Sequence, residues 1–178
     1  MTKSQKKTII WSANGNSLAQ RGSKVELPTS GQLVLSYTNM QQVWAADVAA
    51  SGVNYVSMHT LGTLCLQDKI NLWESFNSPT DTILSTQVLN QDGMLVYHIS
   101  ETNYSIGNFQ FLLQSVGDLV QSFDVTHNFV RYMYWESNPL GTGFQFFFNQ
   151  SSTIYLMARN GTILDLISRN PVSTTDFF

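Results

Sequence analysis

Short apolar runs, separated by residues typical of turns, set the pattern of this chain. The runs are rich in Val, Ile, Leu, Phe and Tyr, and helical periodicity is nearly absent. They lie at 8–11, 32–37, 94–99, 109–113, 144–148 and 153–157. Turn signals between them include Asn14-Gly15-Asn16, Ser30-Gly31, Gln91-Asp92-Gly93 and Asn160-Gly161. Many short strands at close spacing predict an all-β barrel, sandwich or prism.

A repeated tryptophan phrase accompanies these strands. Trp11 opens Trp-Ser-Ala, Trp44 opens Trp-Ala-Ala, and Trp73 and Trp135 both open Trp-Glu-Ser, at steps of 33, 29 and 62 residues. A glycine turn followed by an apolar strand also recurs, at Gly31, Gly62, Gly117 and Gly161. Self-similarity at such a period indicates one β unit that is repeated, with units that bury their apolar faces against each other. We therefore expect the four indoles to be largely buried at equivalent positions.

Composition narrows the choice of partner. The 178 residues suffice for one large or two small domains, and charged residues make up only 12%, about half the usual share. The net charge is −3, and the only cluster of basic residues lies at the N-terminus, at Lys3, Lys6 and Lys7. We therefore expect no nucleic-acid partner. The sequence has no signal peptide and no run of 18 apolar residues. If the protein is extracellular, we expect it to be a mature domain or a trimmed piece.

Specific phrases resemble a known family. Trp11-Ser12-Ala13-Asn14, 31–35 and Gln42-Val43-Trp44 resemble the bulb-type, mannose-binding lectin domain of plants. Trp73-Glu74-Ser75-Phe76, followed by Pro79-Thr80-Asp81-Thr82, looks like the lectin ectodomain of plant G-type lectin S-receptor-like serine/threonine kinases. The resemblance implies a β-prism II fold, with three four-stranded sheets and the tryptophans in the core. It also implies an extracellular, non-catalytic recognition module without a cofactor, in a single-pass plasma-membrane protein anchored through a segment absent from this sequence.

A second lectin-like unit is suggested further along the chain. Asn103-Tyr104-Ser105, with Phe109-Gln110 and Leu112-Leu113-Gln114, looks like the start of another lectin domain. We therefore expect tandem lectin domains, 1–100 and 101–178, with the boundary between about residues 90 and 104. No low-complexity linker separates the two halves, so we expect them to pack together.

The resemblance also implies where a sugar would bind. Bulb-type lectins bind mannose with the pattern Gln-x-Asp-x-Asn-x-Val-x-Tyr, whose spacing places alternate side chains on one strand face. The best match begins at Gln114, where Gln114 and Val120 fit but Val116, Asp118 and Ser122 replace the aspartate, asparagine and tyrosine. The candidate carbohydrate-binding residues are Gln114, Asp118, Val120 and Ser122. The alternative is a strand kept for packing, with Leu119 inward and polar residues outward.

Other candidate residues have structural explanations. Cys65, the only cysteine, lies in an apolar strand phrase and is expected to be buried and inert. Asp81 is expected to serve a turn, and three histidines match no metal spacing, so no metal site is predicted. No nucleophile, base and oxyanion donor assemble, so we expect no enzyme. Glycosylation sequons begin at Asn103, Asn149 and Asn160, and the histidines are His59, His98 and His127.

Two functions remain open at this stage. One is recognition of a mannose-type glycan, and the other is binding of a protein partner or a second copy of the chain. The phenylalanine-rich run bears on the second. Phe144, Phe146 and Phe148 are expected to share one strand face, which leaves Phe147 on the other. Phe147 must then be covered by something other than its own sheet's core, either the other lectin half or a dimer partner.

Overall fold

The computed structural model describes residues 9–15, 17–48, 52–59, 62–100, 102–124, 131–137 and 141–168. Over these residues the secondary structure consists of β-strands and one short 3-10 turn, Ser75–Asn77, so the prediction of an all-β protein is confirmed. Six strands precede that turn. They are β1 (Lys24–Glu26), β2 (Val34–Ser36), β3 (Gln42–Ala45), β4 (Tyr55–Met58), β5 (Leu64–Gln67) and β6 (Asn71–Glu74).

Eight strands follow the turn. They are β7 (Val88–Asn90), β8 (Met94–Ser100), β9 (Asn103–Leu113), β10 (Leu119–Asp124), β11 (Arg131–Glu136), β12 (Gly143–Phe148), β13 (Ile154–Ala158) and β14 (Ile163–Ser168). In the described part of the chain the strands form two three-stranded and two four-stranded sheets. Their orders are β1-β2-β3, β4-β5-β6, β11-β10-β9-β8 and β14-β13-β12-β7. Each neighbouring pair is antiparallel.

The first core lies between the two three-stranded sheets and is organised by three tryptophans. Trp11, Trp44 and Trp73 meet edge to face, with ring centroids 5.6–6.0 Å apart. The indole N–H of Trp11 donates to the carbonyl of Ser78 at 3.1 Å, which fixes the N-terminal segment to the chain after β6. Trp44 and Trp73 pack against the buried residues of this core, Leu33, Ala46, Val53 and Leu66.

The repeat read from the sequence corresponds to equivalent positions in three hairpins. Trp44 pairs with Leu35, Trp73 with Leu66 and Trp135 with Gln121, in each case the fourth residue after the glycine of the repeat. None of the four indoles lies on open surface, but all four are half-buried rather than fully covered. The equivalence is therefore confirmed for these three positions, and the degree of burial is lower than the sequence suggested.

The serine of the Trp-Glu-Ser phrase explains why the phrase repeats. The hydroxyls of Ser75 and Ser137 accept the backbone N–H groups of Leu64 and Leu119, at 2.9 and 3.0 Å. Both serines are buried. Because an unpaired backbone N–H in a core is costly, these hydroxyls satisfy groups at the start of β5 and β10 that would otherwise lack a partner.

The glycine of the repeat is required by close backbone approach. Gly31 and Gly117 have φ values of +75° and +97°, a region that favours glycine. A Cβ on Gly31 would come within 2.6 Å of the backbone nitrogen of Gly52, and one on Gly117 would come equally close to that of Gly143. The turn of one hairpin thus packs directly on the backbone of another segment.

The second core lies between the two four-stranded sheets. Its buried residues come from five different strands, and Trp135 and Phe111 pack against them. Phe111 meets Phe146 edge to face at 5.0 Å. The buried members are Leu89, Leu113, Leu119, Phe146 and Leu156.

Two strands that precede residue 101 pair with strands that follow it. β7 pairs with β12, and β8 forms a hairpin with β9. Near its start β9 approaches the N-terminal segment, where the N–H of Ile106 donates to the carbonyl of Gly15 at 3.0 Å. The division into lectin domains at 1–100 and 101–178 stays a prediction, and sheet pairing crosses it.

Trp73→Ala tests the tryptophan cluster. We expect a loss of about 3 kcal/mol in the free energy of unfolding, the lower part of the range for aromatic truncation, because the ring is half-buried. Urea unfolding followed by circular dichroism measures the change. Ile70→Ala, at an exposed apolar residue of the same hairpin, serves as control and should change the stability by less than about 0.5 kcal/mol. Equal effects of the two variants would show that the cluster does not stabilise the fold.

Candidate functional site

The predicted sugar-binding residues begin in a turn rather than in a strand. Gln114 follows the end of β9, and its backbone N–H donates to the carbonyl of Asp118 at 2.9 Å. The N–H of Gly117 donates back to the carbonyl of Gln114 at 2.8 Å, which closes the turn. Gln114 borders a shallow groove together with Ser115 and Val116. This end of the predicted motif is open to solvent.

Asp118 is engaged by the protein itself. Its carboxylate accepts the backbone N–H of Gly141 at 3.1 Å, which ties the β9–β10 turn to the segment before β12. This contact accompanies the close approach of Gly117 to Gly143. The residue at the position of the family's asparagine therefore holds two hairpins together.

Val120 and Ser122 lie in the interior. Only 1% of Val120 and 2% of Ser122 is exposed, so neither offers surface to a sugar in this fold. β10 lies between β9 and β11 in its sheet. Leu119 is fully buried as well, so adjacent side chains on opposite faces of the strand are both covered. In the packing alternative Leu119 is inward as expected, whereas Ser122, one of the polar residues expected outward, is buried.

The three glycosylation sequons share one local geometry. In each, the side-chain oxygen of the asparagine accepts the backbone N–H of the sequon's own serine or threonine two residues later. These bonds measure 3.1 Å at Asn103, 2.9 Å at Asn149 and 3.0 Å at Asn160. Each asparagine lies where one strand turns back into the next, and the bond is the Asx turn typical of such places. Glycosylation of the three asparagines stays a prediction.

The histidines divide into three cases. His59 is exposed, and His127 lies outside the described residues. His98, on β8, is 20% exposed, and its Nε2 lies 2.8 Å from Oδ2 of Asp81. It is therefore a strand histidine with a partner, as the sequence suggested. Within the described ranges no group of three His, Cys, Asp or Glu residues could hold a metal ion.

Asp81 does more than the turn role expected of it. Its side chain is 11% exposed and reaches His98 on β8, while Oδ1 accepts the hydroxyl of Thr80 at 3.3 Å. Sequence reasoning missed this pair because residues 81 and 98 meet only through the fold. A signal did exist: Met94, Val96 and His98 alternate along β8, which places a histidine at the end of an apolar face.

The Asp81–His98 pair lies in a cleft of about 350 Å³ between the N-terminal segment and the β8–β9 hairpin, which we call the junction cleft. Ala13, Asn14 and Trp44 border one side of it, and Met94, Tyr104 and Ile106 border the other. The junction cleft combines apolar and aromatic walls with a few polar groups, the usual make-up of a small-molecule site.

Comparison with known proteins identifies the family. The family model described as D-mannose binding lectin matches residues 8–102, more than half of the chain. The chain belongs to this lectin family. Its resemblance to plant receptor-kinase ectodomains is confirmed as well, and the chain is a lectin domain, a non-catalytic module.

The relatives are plant receptor-like kinases. The chain is 36% identical over 97% of its length to G-type lectin S-receptor-like serine/threonine-protein kinase LECRK2 of Oryza sativa subsp. indica. It is 31% identical over 93% of its length to the corresponding kinase RLK1 of Arabidopsis thaliana. The chain spans 22% of the length of each of these two relatives.

Among solved structures, the chain overlaps loosely with the fetuin-binding two-domain lectin of Scilla campanulata. The TM-score is 0.37 and the identity 18%, over 92% of this chain and 68% of the other. In the described part of the chain, no helix is long and apolar enough to cross a membrane.

Cys65 illustrates a candidate that the structure explains by packing. Its side chain is fully buried on β5, which confirms the expectation from sequence. Burial, and secondarily the nearby carboxylate of Glu74, raises the pKa of the Cys65 thiol above its usual range. A smaller thiolate fraction and no access for reagents together make this thiol unreactive in the folded protein.

Thiol labelling tests this account. At mildly alkaline pH, Ellman's reagent should react with the folded protein far more slowly than with the urea-unfolded chain, because only the unfolded thiol is exposed and has an ordinary pKa. Cys65→Ser should remove the signal in both states. Labelling of the folded protein at the speed of a free thiol would contradict the burial of this residue.

Proposed function

We propose that this chain is the extracellular recognition module of a plant receptor-like kinase, and that it binds glycans without using the Gln114 motif as a mannose site. Membership of a mannose-binding lectin family and the kinship with receptor-like kinases support the role in recognition. In such a receptor the module would be held at the plasma membrane by a segment elsewhere in the parent protein. Its binding of a glycan would then be an input to signalling.

The observation that carries the second half of the proposal is the burial of Val120 and Ser122. In the family's pattern these positions supply the apolar contact and the phenol that face the sugar. A covered side chain can supply neither, and Asp118 already accepts a backbone hydrogen bond. A single monosaccharide site has a binding free energy of about −4 kcal/mol, which corresponds to near-millimolar affinity. Each lost hydrogen bond removes roughly 0.5–1.5 kcal/mol, so losing two or three leaves little binding.

Titration with methyl mannoside tests the Gln114 motif. We expect Gln114→Ala to leave any response to methyl mannoside unchanged, and we expect no saturable binding at this motif below about millimolar concentration. Isothermal titration calorimetry on both proteins is the measurement. Saturable binding that Gln114→Ala abolishes would overturn this part of the proposal and restore the family's site.

A second candidate function is contact with another protein or with a second copy of the chain. It is favoured by an apolar row on the sheet that contains β12. In register across that sheet, Val88, Phe147, Tyr155 and Leu166 follow one another on four adjacent strands, and each is only partly covered. The rings of Phe147 and Tyr155 stack with centroids 5.3 Å apart and planes 9° apart. Phe147 thus has a partner within its own sheet, which neither explanation drawn from the sequence included.

Phe147→Glu separates these roles. We expect a lower melting temperature at every protein concentration and an unchanged mass by light scattering, because the substitution removes the stack on Tyr155 inside one chain. Ile163→Glu, at an exposed apolar residue on β14 of the same sheet, is the control and should leave both the melting temperature and the mass nearly unchanged. Should the wild type prove dimeric and Phe147→Glu yield a stable monomer, self-association through this row would be the better description.

A further inference from the structure

The junction cleft is built from segments that are hydrogen-bonded to one another. The backbone N–H of Ser12 donates to the Thr80 hydroxyl at 3.3 Å, and the N–H of Val96 donates to the Thr80 carbonyl at 2.8 Å. The link from Ile106 to Gly15 closes the far side. Thr80 therefore joins the N-terminal segment to β8, and the walls of the cleft are held in position before any ligand arrives. Such preorganisation lowers the entropic cost of binding.

The polar groups of the junction cleft are also held in position by contacts within the protein. The Asp81 carboxylate is fixed by His98 on one oxygen and by Thr80 on the other, and Tyr104 places its ring against that of His98 at a centroid distance of 4.8 Å. A carboxylate oxygen has more than one acceptor position, so these contacts leave Asp81 able to accept hydroxyl groups from a ligand. Bonds of that kind are charge-assisted and stronger than neutral ones.

The apolar part of the cleft includes Trp44. This indole is one of the three rings of the tryptophan cluster, so edge-to-face contacts with Trp11 and Trp73 hold it in position. Met94 and Val96 continue the apolar lining along β8. A rigid aromatic group beside aliphatic side chains can cover the C–H face of a sugar ring while polar groups hold its hydroxyls.

The charged residues that border the junction cleft restrict the class of ligand further. Among the described residues that border the cleft there is no Lys or Arg, and the one carboxylate, Asp81, is paired with His98. An acidic ligand would meet the Asp81 carboxylate with no described Lys or Arg beside it to offset the repulsion. The cleft is also small for a ligand site, which typically measures ~300–1,000 Å³. The chemistry fits a neutral polyhydroxylated ring of one or two units.

We propose that the junction cleft is a binding site for a neutral sugar unit, with Asp81 as the hydroxyl acceptor, His98 as the residue that positions Asp81, and Trp44 as part of the apolar wall. This inference rests on the proposed function, since it assumes that the module binds glycans. It places the site apart from the Gln114 motif. The N-terminal segment and the β8–β9 hairpin both contribute, so the site exists only when these two parts of the chain are folded together.

The test uses the whole chain, produced in bacteria so that no glycan on Asn103 lies beside Tyr104. Mannose, glucose, galactose and N-acetylglucosamine are the neutral probes, and glucuronic acid is the acidic one. Saturation-transfer NMR measures binding, and tryptophan fluorescence provides a local signal because Trp44 borders the cleft. Asp81→Asn removes the charge but keeps the shape, and Ala13→Phe fills the cleft. Asp92→Asn makes the same chemical change in the β7–β8 turn, where asparagine tolerates the positive φ of 64°.

We expect at least one neutral sugar to bind with a fluorescence change, and glucuronic acid not to bind. Asp81→Asn and Ala13→Phe should each weaken binding at least tenfold, with Asp92→Asn and Gln114→Ala unchanged. Melting curves establish that each variant is folded, and the two cleft variants act by different means. Sugar binding that survives both cleft variants would overturn the junction site and leave the glycan-binding function standing. Failure of every sugar to bind would overturn both and favour the protein-contact function.

Discussion

Three indole rings, each set edge to face against the other two, form the contact on which the first half of this protein depends. They come from the N-terminal segment, β3 and β6, so no two neighbouring strands could make the contact alone. Each such pair contributes roughly 0.5–1.5 kcal/mol beyond the area it buries. The geometry also explains the spacing of about 30 residues in the sequence, because each unit must complete a hairpin before it returns a tryptophan to the centre.

The later part of the chain has the strand pairing and the serine contact of the repeated unit, but it lacks the cluster of three tryptophans. Trp135 pairs with Gln121, at the position that Leu66 holds opposite Trp73. The hydroxyl of Ser137 accepts the backbone N–H at the start of β10, as that of Ser75 does at the start of β5. Trp135 is, however, the only tryptophan after residue 73. Leucines and the Phe111–Phe146 pair fill the second core instead. The backbone pattern of the repeat is therefore separable from the aromatic packing that accompanies it.

Local rules explain which features could be predicted from the sequence. Alternating runs, turn residues and the repeated Trp-Glu-Ser phrase were sufficient for the all-β fold and for the equivalence of Trp44, Trp73 and Trp135, because those features act within one hairpin. The burial of Val120 and Ser122 depends on both faces of β10 being covered by other parts of the fold, which the residues of one strand do not reveal. The Asp81–His98 pair likewise requires two segments whose separation in sequence gives no hint of contact. The stack of Phe147 on Tyr155 depends on the register between β12 and β13.

The length of β9 has a consequence for how the molecule responds to heat. Its eleven residues extend over roughly 35 Å, from the segment that holds Trp11 to the leucines of the second core. The later part of β9 pairs with β8 and β10 beside the second core, and near its start Ile106 is bonded to Gly15 of the N-terminal segment. Unfolding of the second core would therefore also remove a partner of the segment that carries Trp11, so the two cores are expected to melt in a single cooperative transition.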